Sequence, residues 1–583
     1  MGESFGPLDK RGTKFICYAR DPPFIVNEYS YIPIPFIWSI RGWGLLLDTT
    51  APSYFDIGSY HYGIARIYLR SSALRYYLFW GKPLEILNKF YKVVGLPKHI
   101  PPKWSFGFWI SRCAYKSQDE VLKVAYEFRK RKIPCDVIHI DPPWQNIWRR
   151  GLPDCINLEW DRVAFPNPKK LISELHKLGF KLCLWINPYL DPESKLYREA
   201  KRQKLTLRRS FFSEATPDQI RQLKAKCKLL DLTNPKAYQF FKEKLKEVLR
   251  QGVDVLKSDY GEAAPRKAQY YKGLKGEEAH NLYPLLYQKA VYEATLEEKG
   301  YGLIWGRSGY TGIHKYPLQW SGDTHSSWQG IYTALRGLLS FSCSGAIFAS
   351  FDIGGFLGKP TPKLYLRWLQ FGMFISHPRA HGKSPREPWE FGKDVEKIAV
   401  EYLKLRYKLT PYIYSESIKC IKEGKPLVRP LVMEYPDDPT TWQIDHEYLF
   451  GSSILVAPIL DVKDERVVYL PENTWYYYWS DRKIEGKKWI NIKCNLNEIP
   501  VFIKSGSIIP MLKEAPLYLR DEPWSSIVLH VYPDEGDKAY YKFYDINVEC
   551  EFTYSMGKLE VKTVKGKVNV DKVIVHKPSA SKT

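Results

Sequence analysis

The sequence is poor in the features that mark a stapled, metal-nucleated or membrane-embedded chain. Its ten cysteines are scattered over 583 residues without a CxxC pair, so neither a zinc ribbon nor a disulfide framework is expected. No apolar run reaches the roughly 18 residues that a membrane helix needs. The nearest, 337–351, is broken by Ser and Gly. The opening MGESFGPLDKRGTK has no apolar segment of the signal-peptide kind. Internal repeats and low-complexity tracts are absent. Acidic residues are in the minority, 64 Asp and Glu against 87 Lys and Arg, for a formal charge of +23. That balance excludes an acidic disordered protein. The basic excess is spread through Lys-rich helices, whereas nucleic-acid binding would need clustered Lys/Arg with exposed aromatics, so no nucleic-acid partner is expected. These absences predict a soluble, cytoplasmic protein with no membrane partner.

What is present is a large apolar inventory, 44% hydrophobic and 15% aromatic, enough for ample cores. Residues 1–83 read as part of a β-sandwich, with short runs at 31–36, 44–48, 53–57 and 65–69 between Gly, Pro and Ser turns. From 84 the period changes to helical. Eight apolar runs then follow, at 104–111, 136–141, 181–187, 253–259, 303–307, 318–323, 346–352 and 371–377, most of them separated by amphipathic helical stretches such as 169–178 and 237–250. Each run closes on a polar or charged residue. In a (β/α)₈ barrel such residues point into the pocket at the carboxyl ends of the strands, so a barrel over 84–425 is expected, in preference to a doubly wound open sheet. Only 16 residues separate Arg307 from Asp323, too few for a regular crossover helix. Residues 189–230 form a charged insertion, either over the barrel mouth or as a surface helix pair. From 426 the chain is β-rich again, with a proximal sandwich at 426–514 and a distal β domain at 515–583.

Two carboxylates stand out. In VDVLKSDYGE, Lys257 and Asp259 lie two residues apart on one face of a strand end. A neighbouring ammonium keeps a carboxylate ionised, as a nucleophile requires, though a structural ion pair reads equally well. In QWSGDTHSSW, Asp323 follows Trp320 and Gly322. An adjacent aromatic raises a carboxyl pKa toward the general-acid range, and the alternative is an N-cap for a helix starting near Ser326. Together, one ion-paired and one aromatic-flanked carboxyl at one barrel mouth form a glycosidase constellation. Trp109, Trp144, Trp185 and Trp320 could stack on sugar faces or fill the core. His325 and His377 lack a third ligand at suitable spacing and read as structural, so no metal and no cofactor are expected. Cys113, Cys183 and Cys343 read as small core residues.

Seven motifs in order, GESFGPLDKRG, PPKWSFGFW, LWINPY, KSDYGE, WSGD, DIGGF and PRAHG, resemble glycoside hydrolase family 31, whose members are retaining, metal-independent α-glycosidases acting from the non-reducing end. The resemblance runs from near the first residue to about 510. It implies Asp259 as nucleophile and Asp323 as acid/base. It further implies sugar contacts from Asp141 in HIDPPW, Trp185, Lys257, Arg307 and His381, with Asp352 as a supporting carboxylate and Asp21 in YARDPP lent by the N-terminal sandwich. Trp320 joins this substrate-binding set. KSDYGE is closer to the KTDFGE of the α-xylosidase branch than to the DMNE of many α-glucosidases. However, Pro142-Pro143 stands where bacterial α-xylosidases carry Cys-Phe, and Ala114 stands where an aromatic is expected. The resemblance thus implies an exo-acting α-xylosidase first and an α-glucosidase second. A non-catalytic sugar-binding remnant is disfavoured because both carboxylates and their polar neighbours are present. The partner is an oligosaccharide, and a homo-oligomer is compatible with the sequence. Family members usually carry more sandwich before GESFGPLDKRG, so the resemblance implies either a truncated form or an upstream part on a separate polypeptide, and a missing half-sandwich would leave apolar surface exposed.

Overall fold

The computed structural model describes residues 1–21, 29–148, 150–151, 155–207 and 227–577. At its centre eight parallel strand positions close a ring: Trp109–Arg112, Val137–Ile140, Lys181–Ile186, Val255–Ser258, Trp305–Gly306, Gln319–Trp320, Ala349–Ser350 continuing as Asp352–Ile353, and Arg379–Ala380. The seventh position changes partner at Phe351. Ala349 and Ser350 pair with the sixth strand, and Asp352 and Ile353 pair with the eighth. Arg379 pairs with Trp109 of the first strand, which completes the barrel. The expected fold class, a (β/α)₈ barrel between β-rich flanks, is the one observed.

Helices pack outside the ring with ordinary amphipathic logic. Gln118–Lys130, Pro168–Lys177 and Pro235–Leu249 begin at Ser117, Asn167 and Asn234, whose side chains accept a backbone N–H of the first turn. The short link between the fifth and sixth strands carries only a 3₁₀ turn, Ile313–Lys315. The eighth expected run is displaced. Phe371 and Gly372 finish the helix Pro362–Gly372, and the strand is Arg379–Ala380. The buried Arg406 guanidinium instead donates to the carbonyls of Met373 (3.0 Å), Ile375 (2.6 Å) and Ser376 (2.5 Å). An arginine here takes the acceptors that a sheet would have paired, so the apolar run needs no strand neighbour.

No disulfide framework is present among the described residues, as expected, but one disulfide is, which the sequence reading did not anticipate. Cys155 and Cys227, 72 residues apart, are bonded. Spacing could not show this, because the fold joins them through a third segment: Ile156 bridges to Leu190, and Leu190 pairs with Lys228. This pairing ties down the base of the insertion expected at 189–230, which also carries the helix Lys195–Arg202. Part of that insertion, 208–226, lies outside the described residues. Of the other cysteines, Cys183 is buried, and Cys113 and Cys343 are half-buried thiols.

The N-terminal part is two three-stranded antiparallel sheets, Thr13–Cys17 with Ser53–Ile57 and Ala65–Leu69, and Phe36–Ser39 with Trp43–Leu47 and Tyr76–Trp80. The run expected as a strand at 31–36 joins its sheet only at Phe36. Cys17, Leu47 and Phe55 are the buried centre between the sheets. Beyond them the sandwich opens. Leu78 and Trp80, which face Leu45 and Trp43 across the ladder, are 51% and 63% exposed, and Tyr62 is 88% exposed. At the other end of the chain, a six-stranded sheet starting at Val428–Pro430 is followed by a second six-stranded sheet, in which Ser507–Met511 pairs with Ser526–Tyr532. Among the described residues no helix is long and apolar enough to cross a membrane.

The open N-terminal face makes a simple prediction. Leu78→Thr with Trp80→Gln keeps reasonable strand propensity and empties no buried site, so the melting temperature should move by no more than about 2 °C. Binding of an apolar fluorescent dye should fall. Unchanged dye binding would show that the apolar surface of this protein lies elsewhere.

Candidate active site

The carboxyl ends of the barrel strands gather the charged groups. Lys257 sits in the fourth strand, between Trp185 on the third and Trp305 on the fifth in the ladder register. Its ammonium lies 3.3 Å from Asp141 Oδ1 and 3.4 Å from Asp259 Oδ2. Burial alone would strip the charge from this lysine. The two carboxylates reverse that and raise its pKa above the ordinary value.

Asp259 directly follows the same strand. Trp185 Nε1 donates to its Oδ2 at 2.8 Å, the Tyr260 backbone N–H donates to Oδ1 at 2.8 Å, and Arg307 Nη1 stands 3.2 Å from Oδ1. Burial pushes the carboxyl up, but Arg307 and Lys257 outweigh it, and the pKa falls to about 2. Arg307 follows the fifth strand and is itself bound on every side. Glu262 accepts from its Nε at 2.9 Å and its Nη2 at 3.0 Å, and Asp21 Oδ2 lies 3.4 Å from Nη2. Two rings cover the guanidinium, Tyr260 at 4.3 Å and Tyr31 at 4.8 Å. Tyr260 has φ of +58°, a left-handed conformation uncommon outside glycine. That turn directly after Asp259 carries the residue whose ring lies on Arg307.

Asp323 follows the sixth strand through Gly322, at φ +70°. A Cβ at 322 would sit 2.3 Å from the Tyr31 ring, so glycine is required both by conformation and by contact. Asp323 does not cap the next helix; Ser327 does, by accepting from the Gly330 N–H. Its carboxyl is pushed up to about 7, first by burial and further by the charges of Asp259 and Asp21, against the pull of Arg307 and Lys257. Trp320, by contrast, lies buried beneath Lys257 (4.9 Å) and Arg379 (5.0 Å). The ring set against the turn that leads to Asp323 is Tyr31, from the N-terminal part.

The remaining groups line one wall. Asp141 meets His139 Nε2 at 3.2 Å and His381 Nε2 at 3.4 Å, and the Cys113 thiol lies beside it. Asp352 is committed to Arg379, whose Nε is 3.1 Å away. Burial, Lys257 and Arg379 hold both histidines well below the ordinary imidazole range, so they are neutral. His139, Asp141 and His381 offer atoms within 4.8 Å of one another that could hold a cation. The Lys257 ammonium on the same carboxylate opposes a dication there, and the neutral imidazoles suit hydroxyl groups better. Of the histidines considered from sequence, His377 is bound to Ser105 Oγ at 3.1 Å and is buried, while His325 is exposed.

Every residue given a catalytic or substrate-binding role from sequence thus falls in one connected cluster, and His325, His377 and the core tryptophans Trp109 and Trp144 stand apart from it. Five participants were not foreseen. Glu262 and Tyr260 sit inside the KSDYGE motif, Arg379 inside PRAHG and His139 inside HIDPPW, so position within a motif was the available signal. Tyr31 had none.

A barrel whose strand ends present one carboxyl held ionised and a second held protonated near neutrality is that of a carbohydrate-cleaving hydrolase. The comparisons specify which: the chain belongs to glycoside hydrolase family 31. The model of the family's TIM-barrel domain matches residues 98–416, that of its C-terminal domain 424–509, and that of its N-terminal galactose mutarotase-like domain 1–56. An α-xylosidase of Emericella nidulans is 33% identical over 88% of this chain and 66% of its own length. The α-xylosidase XylQ of Lactiplantibacillus pentosus is 33% identical over 99% of this chain and 76% of its own. The chain therefore spans two thirds to three quarters of these relatives. A dextranase of Flavobacterium johnsoniae, solved with isomaltotriose, superposes with a TM-score of 0.86 at 27% identity, over 96% of this chain and 73% of that one.

The raised pKa of Asp323 has a stability consequence. Between the unfolded value near 3.8 and about 7, the unfolded chain has lost a proton that the native one keeps. Stability therefore falls as pH rises through that window, and the loss is complete above it. Asp323→Asn removes the loss and should stabilise the protein by about 1–2 kcal/mol at pH 8, and by much less at pH 4. Thermal melts at the two pH values check this; an equal gain at both would refute the assignment.

Proposed function

We propose that the protein is a retaining, exo-acting α-xylosidase with Asp259 as nucleophile and Asp323 as acid/base. The observation that carries this reading is the opposite state of two carboxyls in one charge network. Asp259 is held ionised by Arg307 and Lys257, and Asp323 is held protonated by burial beside it. In the first step Asp259 attacks the anomeric carbon and the glycosidic C–O bond breaks, while Asp323 gives its proton to the leaving oxygen. In the second, Asp323 takes a proton from water, whose oxygen displaces Asp259 from the glycosyl ester. Retention calls for carboxyl groups about 5–5.5 Å apart. Asp141, His381 and Lys257 face the ring hydroxyls, and their hydrogen bonds strengthen as the ring flattens toward an oxocarbenium ion.

For the sugar, Lys257 in KSDYGE and the two α-xylosidase relatives support xylose. Xylose lacks the hydroxymethyl of glucose, so selection is steric and worth about 1–3 kcal/mol. The rigid Pro142–Trp144 turn directly after Asp141, and the Cys113 thiol beside it, are the groups available to crowd that corner. An α-glucosidase is the second reading, favoured by the likeness to a dextranase solved with isomaltotriose.

Asp259→Ala should lower turnover by about 10⁴-fold or more with the fold intact. Asp323→Ala should be rescued by azide on an activated aryl glycoside, because azide needs no general base. Wild-type activity in the first variant, or no azide product in the second, would overturn the roles.

Comparison of kcat/KM on p-nitrophenyl α-xyloside and α-glucoside decides the sugar. A preference of about tenfold or more for the xyloside is expected. A preference for the glucoside would transfer the protein to the second reading and leave the mechanism standing.

A further inference from the structure

We infer that Tyr31, from the N-terminal half-sandwich, is a positioning residue that keeps Arg307 on Asp259 and off Asp323; this rests on the acid/base role proposed for Asp323. Tyr31 is 1% exposed and lies against both Arg307, which pairs with Asp259, and Gly322, which precedes Asp323. One face of its ring covers the Arg307 guanidinium at 4.8 Å, on a group already covered by Tyr260 at 4.3 Å. Its edge lies against Gly322, where a Cβ would approach it to 2.3 Å, so it also sets the turn that delivers Asp323. Its own backbone is fixed from the barrel, since the Gly309 N–H donates to the Tyr31 carbonyl at 3.2 Å.

The consequence is a division of charge. Arg307 is a single cation facing three carboxylates, Asp259, Glu262 and Asp21, and Asp323 stands near enough to feel it. A guanidinium free to swing toward Asp323 would ionise the acid and weaken its grip on Asp259. Between two aromatic faces the guanidinium plane is held by cation–π attraction in a dry site, where that attraction is strongest. The same ring lies against the Gly322 turn that leads to Asp323. The groups that face Asp323 are Arg307, Asp259, Lys257 and Asp21, and removal of the ring increases the influence of Arg307 and of solvent, both of which lower the carboxyl pKa.

Tyr31→Leu and Tyr31→Phe separate the ring from its hydroxyl. In Tyr31→Leu the basic limb of the kcat/KM profile, measured on the p-nitrophenyl glycoside that the wild type cleaves better, should move down by about half a pH unit or more. Turnover should fall about tenfold, with KM changed by less than about threefold. Tyr31→Phe keeps the face and should keep the wild-type limb. If the Leu variant does not fold, Tyr31→Met is measured in its place; if neither folds, Tyr31 is a core residue and the inference fails. An unshifted limb in a folded Leu or Met variant also overturns it, as does a Phe variant shifted as far as Leu. Failure of the acid/base reading itself is distinguishable, because the wild type would then show no basic limb governed by Asp323 and the Asp323→Ala variant no azide rescue.

Discussion

Arg307 is the group on which the rest of the site depends. It is buried, it cannot shed its proton, and it faces the carboxylates of Asp259, Glu262 and Asp21. A guanidinium left without partners here would be strongly destabilising, and so would the buried carboxylates of Asp259 and Glu262 if unpaired. Fork geometry resolves the conflict. One edge of the guanidinium takes Glu262 through two hydrogen bonds, and the opposite nitrogen is left for Asp259. Lysine could not divide itself in this way. Glu262 thus aims the cation that ionises Asp259, although it lies three residues further along the chain and contacts that carboxyl only through Arg307.

The second consequence is that the site is composite. The barrel supplies the charged strand ends, and the N-terminal part supplies Asp21 and Tyr31. The flank is therefore part of the charge network as well as of the packing. Its two sheets bury little between them, and their outer residues, Leu78 and Trp80 among them, face solvent. Attachment of the loop to the barrel makes up for this. The Ala19 N–H bonds to Asn281 at 2.9 Å, the Ala19 carbonyl to His280 at 2.7 Å, and Gly309 to Tyr31. Those bonds run to the barrel's own helix and strand ends, so Asp21 and Tyr31 are located by the barrel even where the sandwich that carries them is thin.

Much of this was legible in the sequence because the controlling physics is local. Strand alternation placed Lys257 and Asp259 on one face, and the structure has them 3.4 Å apart. Seven of the eight barrel runs announced themselves as apolar stretches closing on polar ends. The eighth failed because an apolar run at 371–377 has two ways to satisfy its backbone, and the one used depends on Arg406, some thirty residues on. Cys155 and Cys227 were missed for the same kind of reason: their meeting depends on Leu190 reaching both Ile156 and Lys228. Tyr31 lay in a run read as a strand, and nothing in YIPIPF distinguishes a ring that packs on a distant arginine from one that fills a core.

The pKa values of Asp259 and Asp323 make the same point about scale. Asp259 is buried and Asp323 half-buried, and both lie within reach of Arg307 and Lys257. Burial by itself would raise the two alike. What separates them is contact: Asp259 has two cations within 3.4 Å, an indole N–H and a backbone N–H, whereas Asp323 faces the charge of Asp259 across the pocket. Each carboxyl thereby sets the other, since the ionisation that makes Asp259 useful is one reason that Asp323 keeps its proton. A substitution that loosens Arg307 should therefore disturb both groups together, in opposite directions.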